Sequence, residues 1–167
     1  SKITYNYWLR KKEQLKNSPE KLALLPDFYM ICFDNVEKSH RCNPINPYLL
    51  KSQTDASDAA TIIMKNLNRE WIKRNDFFSK SAISFVSGLI WYLKKKSEEG
   101  GVNICTLPHV IALLCSPEYE KLVRLLSQDP ETAALVASLK VAIDKQADSQ
   151  VAGVLASIQI TLARIHS

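Results

Sequence analysis

Glycine is scarce in this chain of 167 residues: there are four, Gly88, Gly100, Gly101 and Gly153. None stands in a G-x-x-x-x-G-K-[ST] or G-x-G-x-x-G pattern, so the sequence carries no glycine-rich loop to cradle a phosphate. It also lacks G-x-S-x-G and H-E-x-x-H. Its three histidines, His40, His109 and His166, are far apart. Without a paired nucleophile, base and anion hole, the chain is not expected to be an enzyme, and no catalytic residue is assigned. Long apolar runs are missing too. The longest candidate, "AISFVSGLIWYL", is too short to span a bilayer. The N-terminus, "SKITYNYWLRKKEQ", is aromatic and charged, unlike a secretory leader, and it begins at Ser as an excised or processed piece would. There is no C-x-x-C. The four cysteines, Cys32, Cys42, Cys105 and Cys115, read as reduced and mostly buried residues of a cytosolic protein. A zinc site from Cys32, His40 and Cys42 would want a fourth ligand, so no metal is expected.

What is present is charge of uneven distribution. Net charge is +5. Residues 1–100 hold 17 Lys and Arg against 11 Asp and Glu, a net of +6, while residues 101–167 are at −1. A basic half suits nucleic acid, an anionic membrane surface or an acidic protein, but an excess of this size is also an ordinary solvated surface.

The pattern along the chain is mainly helical. "YNYWLRKKEQLKN" has helical composition, and Ser18-Pro19 and Pro26 interrupt the chain behind it. "DFYMICFDN" (27–35) reads as one strand, apolar on both faces. It has no second strand to pair with, which leaves its backbone groups without partners unless a strand comes from elsewhere. "HRCNPINPYLL" (40–50) comes next. Two prolines, each preceded by Asn, exclude helix and central strand and predict a stiff, extended connector. From residue 55 the period becomes helical. Asp55 and Asp76 are expected caps, and Phe78, Ala82, Phe85, Leu89 and Leu93 form one apolar stripe. "KKKSEEGG" ends that helix, with cations in its last turn and the Gly pair stopping it. Gly88 inside it is expected to allow close helix packing. Thr106, Ser116 and Asp129 are expected caps of further helices. Asp148 caps a last helix, or the last two run on as one. The expected fold is a bundle of about six helices behind a short N-terminal part with one strand, divided as residues 1–54 and 55–167.

Two stretches place cations beside aromatics, as single-strand binders do. "NREWIKRNDFF" sets Arg69, Lys73 and Arg74 around Trp71. "WYLKKK" sets Lys94, Lys95 and Lys96 behind Trp91 and Tyr92. With Arg41 these are the candidate nucleic-acid contacts. The competing reading is core aromatics beside a solvated helix end, since Trp71 continues the stripe of Met64 and Leu67.

The order of these pieces resembles the TraG/TraD-like type IV coupling proteins, above all the conjugative and mobilisation versions of Bacteroides-type bacteria. In that family a strand ending in Asp leads to S-x-R-x-N-P-[LI] and then to an inserted all-alpha domain. Ser39, Arg41, Asn43, Pro44 and Ile45 match that segment as a structural motif, and Phe77, Phe78, Ser81 and Ala82 match a second mark that opens a long helix. The resemblance covers residues 27–167. It implies a hexameric, membrane-anchored, RecA-like ATPase that docks relaxase–DNA complexes at a secretion channel. It also implies that ATP and Mg belong to parts of the full-length protein outside this chain, whose Walker A and Walker B residues match no position here. Residues 1–54 would be the edge of the nucleotide-binding domain. Residues 55–167 would be the helical domain, cytoplasmic and facing a relaxase or other secretion substrate and single-stranded DNA. The residues alone also allow a free-standing helical adaptor or an independent nucleic-acid module.

Overall fold

The structure is a computed structural model, and it describes residues 2–32, 37, 39–70 and 76–163. The chain divides into two compact units, residues 1–42 and 43–167.

The first unit holds α1 (Lys2–Gln14) and α2 (Pro19–Ala23), the latter opened by Pro19 where a missing N–H costs nothing. Aromatic contacts hold it together. Tyr5, Trp8 and Phe28 lie with ring centroids 5.5–6.1 Å apart, and Trp8 Nε1 donates to the Pro26 carbonyl at 2.8 Å. None of its described residues is fully buried. The expected strand over 27–35 is not formed across its described part, 27–32; residues 33–35 lie outside the described residues. The physical reason is the missing partner. The N–H groups of Met30 and Cys32 bond instead to His40 Nδ1 (3.0 Å) and Ser39 Oγ (3.0 Å), and the His40 N–H bonds to the Met30 carbonyl (2.8 Å). Local side chains serve a backbone that no ladder satisfies.

The second unit is a helical bundle of α3 (Gln53–Leu67), α4 (Phe77–Gly100), α5 (Leu107–Leu114), α6 (Tyr119–Gln128), α7 (Ala133–Asp144) and α8 (Asp148–Leu162). Helix α4 is its axis. It packs against α3, α7 and α8, and also touches α5 and α6. It is therefore apolar nearly all round, burying Ala82, Phe85, Val86, Leu89, Ile90, Trp91 and Leu93. The other helices each turn one stripe inward: Ala56, Ala60 and Met64 from α3, Val136, Leu139 and Ala142 from α7, Val151, Val154, Leu155, Ile158 and Leu162 from α8. A methyl added at Gly88 would lie 3.4 Å from Leu135 Cβ, an ordinary van der Waals contact, so the packing of α4 on α7 does not require a glycine there, contrary to expectation.

Several helix ends differ from expectation. Ser52, not Asp55, caps α3. Its Oγ accepts from Asp55 N, and Asp55 Oδ2 accepts from Ser52 N at 2.8 Å, a reciprocal pair in which Asp55 is the third helical residue. The Ser52 N–H and hydroxyl, with the Lys51 N–H, donate to the Asp55 carboxyl and hold it below its ordinary value. Asp76 caps α4 as expected, accepting from Ser79 N at 2.8 Å. Thr106 precedes α5, but its hydroxyl meets His109 Nδ1 at 2.7 Å rather than a backbone N–H. Ser116 and Asp129 fall in turns ahead of α6 and α7, which begin after Glu118 and Thr132. Helices α7 and α8 are separate, since Gln146 turns left-handed at φ 54. Gly101 ends α4 in the same conformation, φ 65, where a Cβ would be strained. Its last turn carries Glu98 and Glu99 instead of the expected cations, which stand one turn earlier. Of the cysteines, Cys105 is buried, Cys32 half-buried, and Cys42 and Cys115 are exposed, because Cys115 falls at the exit of α5.

Candidate functional site

The Asn-Pro-x-Asn-Pro segment is built into the helical unit. Ile45, Pro47 and Leu50 are buried, and Asn46 Oδ1 accepts from Tyr48 N at 3.1 Å to start a 3-10 turn over Pro47–Leu49. Asn43 is the anchor. Its Nδ2 donates to the Cys105 carbonyl at 2.7 Å, and its Oδ1 accepts from Ile45 N at 3.2 Å. The Cys105 thiol then donates to the Ile45 carbonyl at 3.2 Å. Burial pushes that thiol up to about 11, so it stays protonated and remains a donor. Ser97 of α4 completes the knot: its Oγ accepts from Ile104 N (3.0 Å) and Cys105 N (2.9 Å) and donates to the Leu93 carbonyl (2.8 Å). Proline stiffness and these bonds fix the chain's entry into the bundle. Ser39 and Arg41 belong to the first unit. Ser39 Oγ accepts from Cys32 N and donates to the His40 carbonyl, and Arg41 is exposed. In the second motif, Phe77 and Phe78 meet edge to face at 5.6 Å, and Ser81 and Ala82 are buried. Gly153 of α8 makes room for Phe78, whose Cε1 lies 2.6 Å from where a methyl would stand.

The lysine triplet is internally engaged. Lys95 Nζ lies 2.6 Å from Asp129 Oδ2 and 3.5 Å from Glu131 Oε2. Lys94 pairs with Glu98 at 2.7 Å and lies over the Trp91 ring, 4.8 Å from its centroid. Lys96 pairs with Glu99 at 2.6 Å and lies 5.7 Å from the centroid of Tyr92. Trp91 Nε1 donates to Glu131 Oε2 at 2.6 Å, so its ring is a buried brace between α4 and the α6–α7 turn. Burial opposes the charge on Lys95, but the bond to Asp129 wins and holds its ammonium above the ordinary value. Burial likewise opposes ionisation of Asp129, and there Lys95 with the Glu131 and Thr132 N–H groups holds the carboxyl below its usual value. Arg69 is exposed beyond the end of α3. Lys73 and Arg74, with Trp71, lie outside the described residues.

Among the described residues, the surface of the helical unit carries grooves, two of which bear on binding. One, of about 510 Å³, is apolar and is lined by Phe77 of α4, Ala137, Val141 and Ala142 of α7, and the α7–α8 turn at Lys145 and Ala147. Phe77 and Val141 are about half exposed there, at 47% and 50%. The other, of about 310 Å³, runs between α3 and α4 and has a mixed lining, with Ile83 and Leu135 among hydroxyl and lysine side chains. Ser57, Thr61 and Lys65 line it from one side, and Lys80 and Ser84 from the other. Motif and aromatic patterns pass over these residues, although their i, i+4, i+8 spacing on α3 is a visible signal.

Among the described residues no three His, Cys, Asp or Glu side chains are placed to hold a metal ion. None of the described helices is long and apolar enough to cross a membrane. No curated protein and no solved structure matches the chain. Residues 20–165 match the family model of type IV secretory system conjugative DNA transfer proteins, and the match spans both short motifs and nearly the whole bundle. The chain therefore belongs to the family of conjugative DNA transfer proteins of type IV secretion, the TraG/TraD-like coupling proteins.

Proposed function

We propose that the helical unit is the substrate-recognition, DNA-facing domain of a conjugative coupling protein that delivers a relaxase–DNA complex to a type IV secretion channel. The observation that carries this reading is the family match, which falls mostly on the helices. On this reading the chain hydrolyses no ATP itself. ATP and Mg act elsewhere in the full protein, in a hexamer at the inner membrane with this part on the cytoplasmic side. The residues ahead of the bundle stand at the edge of the nucleotide-binding domain.

Protein recognition is placed at the apolar groove. Half-exposed Phe77 and Val141 offer an anchor pocket of the kind a partner side chain fills, and such pockets carry most of an interface's affinity. The internal pairing of Lys94, Lys95 and Lys96 supports this choice over a DNA contact there, since a phosphate would have to displace a carboxylate from each. The test is binding of the purified relaxase of the same conjugative element to immobilised chain, with Val141→Glu as the variant. Binding that falls at least tenfold in the variant, with an unchanged circular dichroism spectrum, supports the reading. Equal binding by both proteins removes the groove from recognition, and no binding by either removes the relaxase as its partner.

A further inference from the structure

Gly153 stands inside α8, where a glycine weakens the helix. Its backbone does not call for one, since Gly101 is the glycine with positive φ. The ring of Phe78 does. It fills the place of the missing side chain: a methyl on Gly153 would stand 2.6 Å from Cε1, 3.0 Å from Cδ1 and 3.5 Å from Cζ. Carbon atoms in contact lie about 3.5–4.0 Å apart, so any larger residue at 153 drives the ring edge back by about 1 Å. No other glycine is filled in this way. Gly88 meets Leu135 at ordinary contact distance, and Gly100 has nothing within 4 Å.

The ring is the part that yields. Helices α4 and α8 pack through the buried core, and parting them would open contacts that close packing makes costly to lose. Phe78 is 40% exposed and is free to swing outward. Phe77 and Phe78 are the first two residues of α4, where the backbone N–H groups have no intrahelical partners to stiffen the turn. Phe77 rests edge to face on Phe78, with centroids 5.6 Å apart and planes at 79°. Phe77 in turn lines the apolar groove together with Val141. We infer that Gly153 is a positioning residue of that groove: it seats Phe78, Phe78 braces Phe77, and the size of residue 153 thereby sets which apolar side chain the groove accepts. The inference deepens the reading of the groove as the cargo site and rests on it. A shift of about 1 Å exceeds the roughly 0.5 Å within which a binding constellation must be held, so a single methyl is enough to disturb it.

The experiment is a double-mutant cycle of Gly153→Ala in wild type and in a Phe78→Leu background, with Gly100→Ala as the control. One readout is the ¹⁹F NMR resonance of 4-fluorophenylalanine placed at position 77. The other is capture of the purified relaxase. In wild type, Gly153→Ala moves the resonance and weakens capture at least fivefold, with an unchanged circular dichroism spectrum. With Phe78→Leu, whose side chain has no ring edge to displace, the same change leaves the resonance in place and alters capture less than twofold. Gly100→Ala moves neither. A resonance that Gly153→Ala leaves unmoved overturns the inference. So does an equal effect in both backgrounds, since the methyl would then act through helix packing. A moved resonance with capture unchanged also overturns it, because Phe77 would not set what the groove accepts. If wild type captures no relaxase, the parent reading falls and takes the cargo half with it, while the resonance still decides whether Gly153 positions Phe77.

Discussion

Ser97→Ala and Ser87→Ala are the same substitution at two buried positions of one helix, and the structure assigns them different costs. Ser87 Oγ donates only to the Ile83 carbonyl, one turn back in α4. That carbonyl keeps its helical N–H partner when the hydroxyl goes, and Ala is the better helix former, so the change is within about 0.5 kcal/mol of neutral. Ser97 Oγ is the acceptor for two N–H groups outside the helix, those of Ile104 and Cys105. Cys105 is 0% exposed, so water cannot replace the lost oxygen there. An orphaned buried donor costs about 1–3 kcal/mol, and half-buried Ile104 adds a smaller share, giving about 2 kcal/mol in all. At a urea dependence near 1.5 kcal/mol per molar, the midpoint falls by about 1.3 M with the slope unchanged. Equilibrium urea unfolding followed by tryptophan fluorescence reads both variants. Equal midpoints for the two, or a neutral Ser97→Ala, would refute the claim that this hydroxyl ties the entry segment to the bundle.

Asp129 provides an acid test. Its folded-state pKa lies below the ordinary 3.8, so its bond to Lys95 adds stability above that value and loses it as pH falls through the lower, folded one. The stability gap between wild type and Asp129→Asn, measured by urea unfolding from pH 7 to pH 3, narrows toward the acid end; a gap constant with pH contradicts the pairing. Amide exchange separates the two units: residues 2–32 exchange fast, since none with a described side chain is buried, while α4 exchanges slowest. Strong protection at Met30 and Cys32 would mean that a strand pairing was missed. ATP turnover by the chain stays at background; turnover abolished by a point substitution within it would place nucleotide chemistry where the sequence offers no phosphate loop.

Periodicity and end signals made the helices legible because both are local. The stripe from Ala82 to Leu93 needs only the helical period, and Gly101 only its lack of a Cβ. Caps slipped by a few residues wherever two polar candidates competed, as Ser52 and Asp55 did, since both take part in one reciprocal pair. The apolar run at 27–32 misled because composition records a residue's fit to a sheet, not the presence of a neighbour strand. The site was less legible than the fold. Lys95 meets Asp129 and Glu131, more than 30 positions on, and Asn43 meets Cys105 at a separation of 62, so neither partnership leaves a trace in spacing. The partners of Lys94 and Lys96, four and three residues away, were within reach of the helical period.

The central claim, that the helical unit receives secretion cargo at its apolar groove, is tested most directly by photocrosslinking in mating donor cells. A photoreactive amino acid replaces Val141 in the groove or, as a control, exposed Val102 beyond the far end of α4, a helix about 36 Å long. The account predicts a covalent adduct with the relaxase from position 141 and none from position 102. Equal adducts from both positions, or none from 141 while conjugation proceeds, would contradict it.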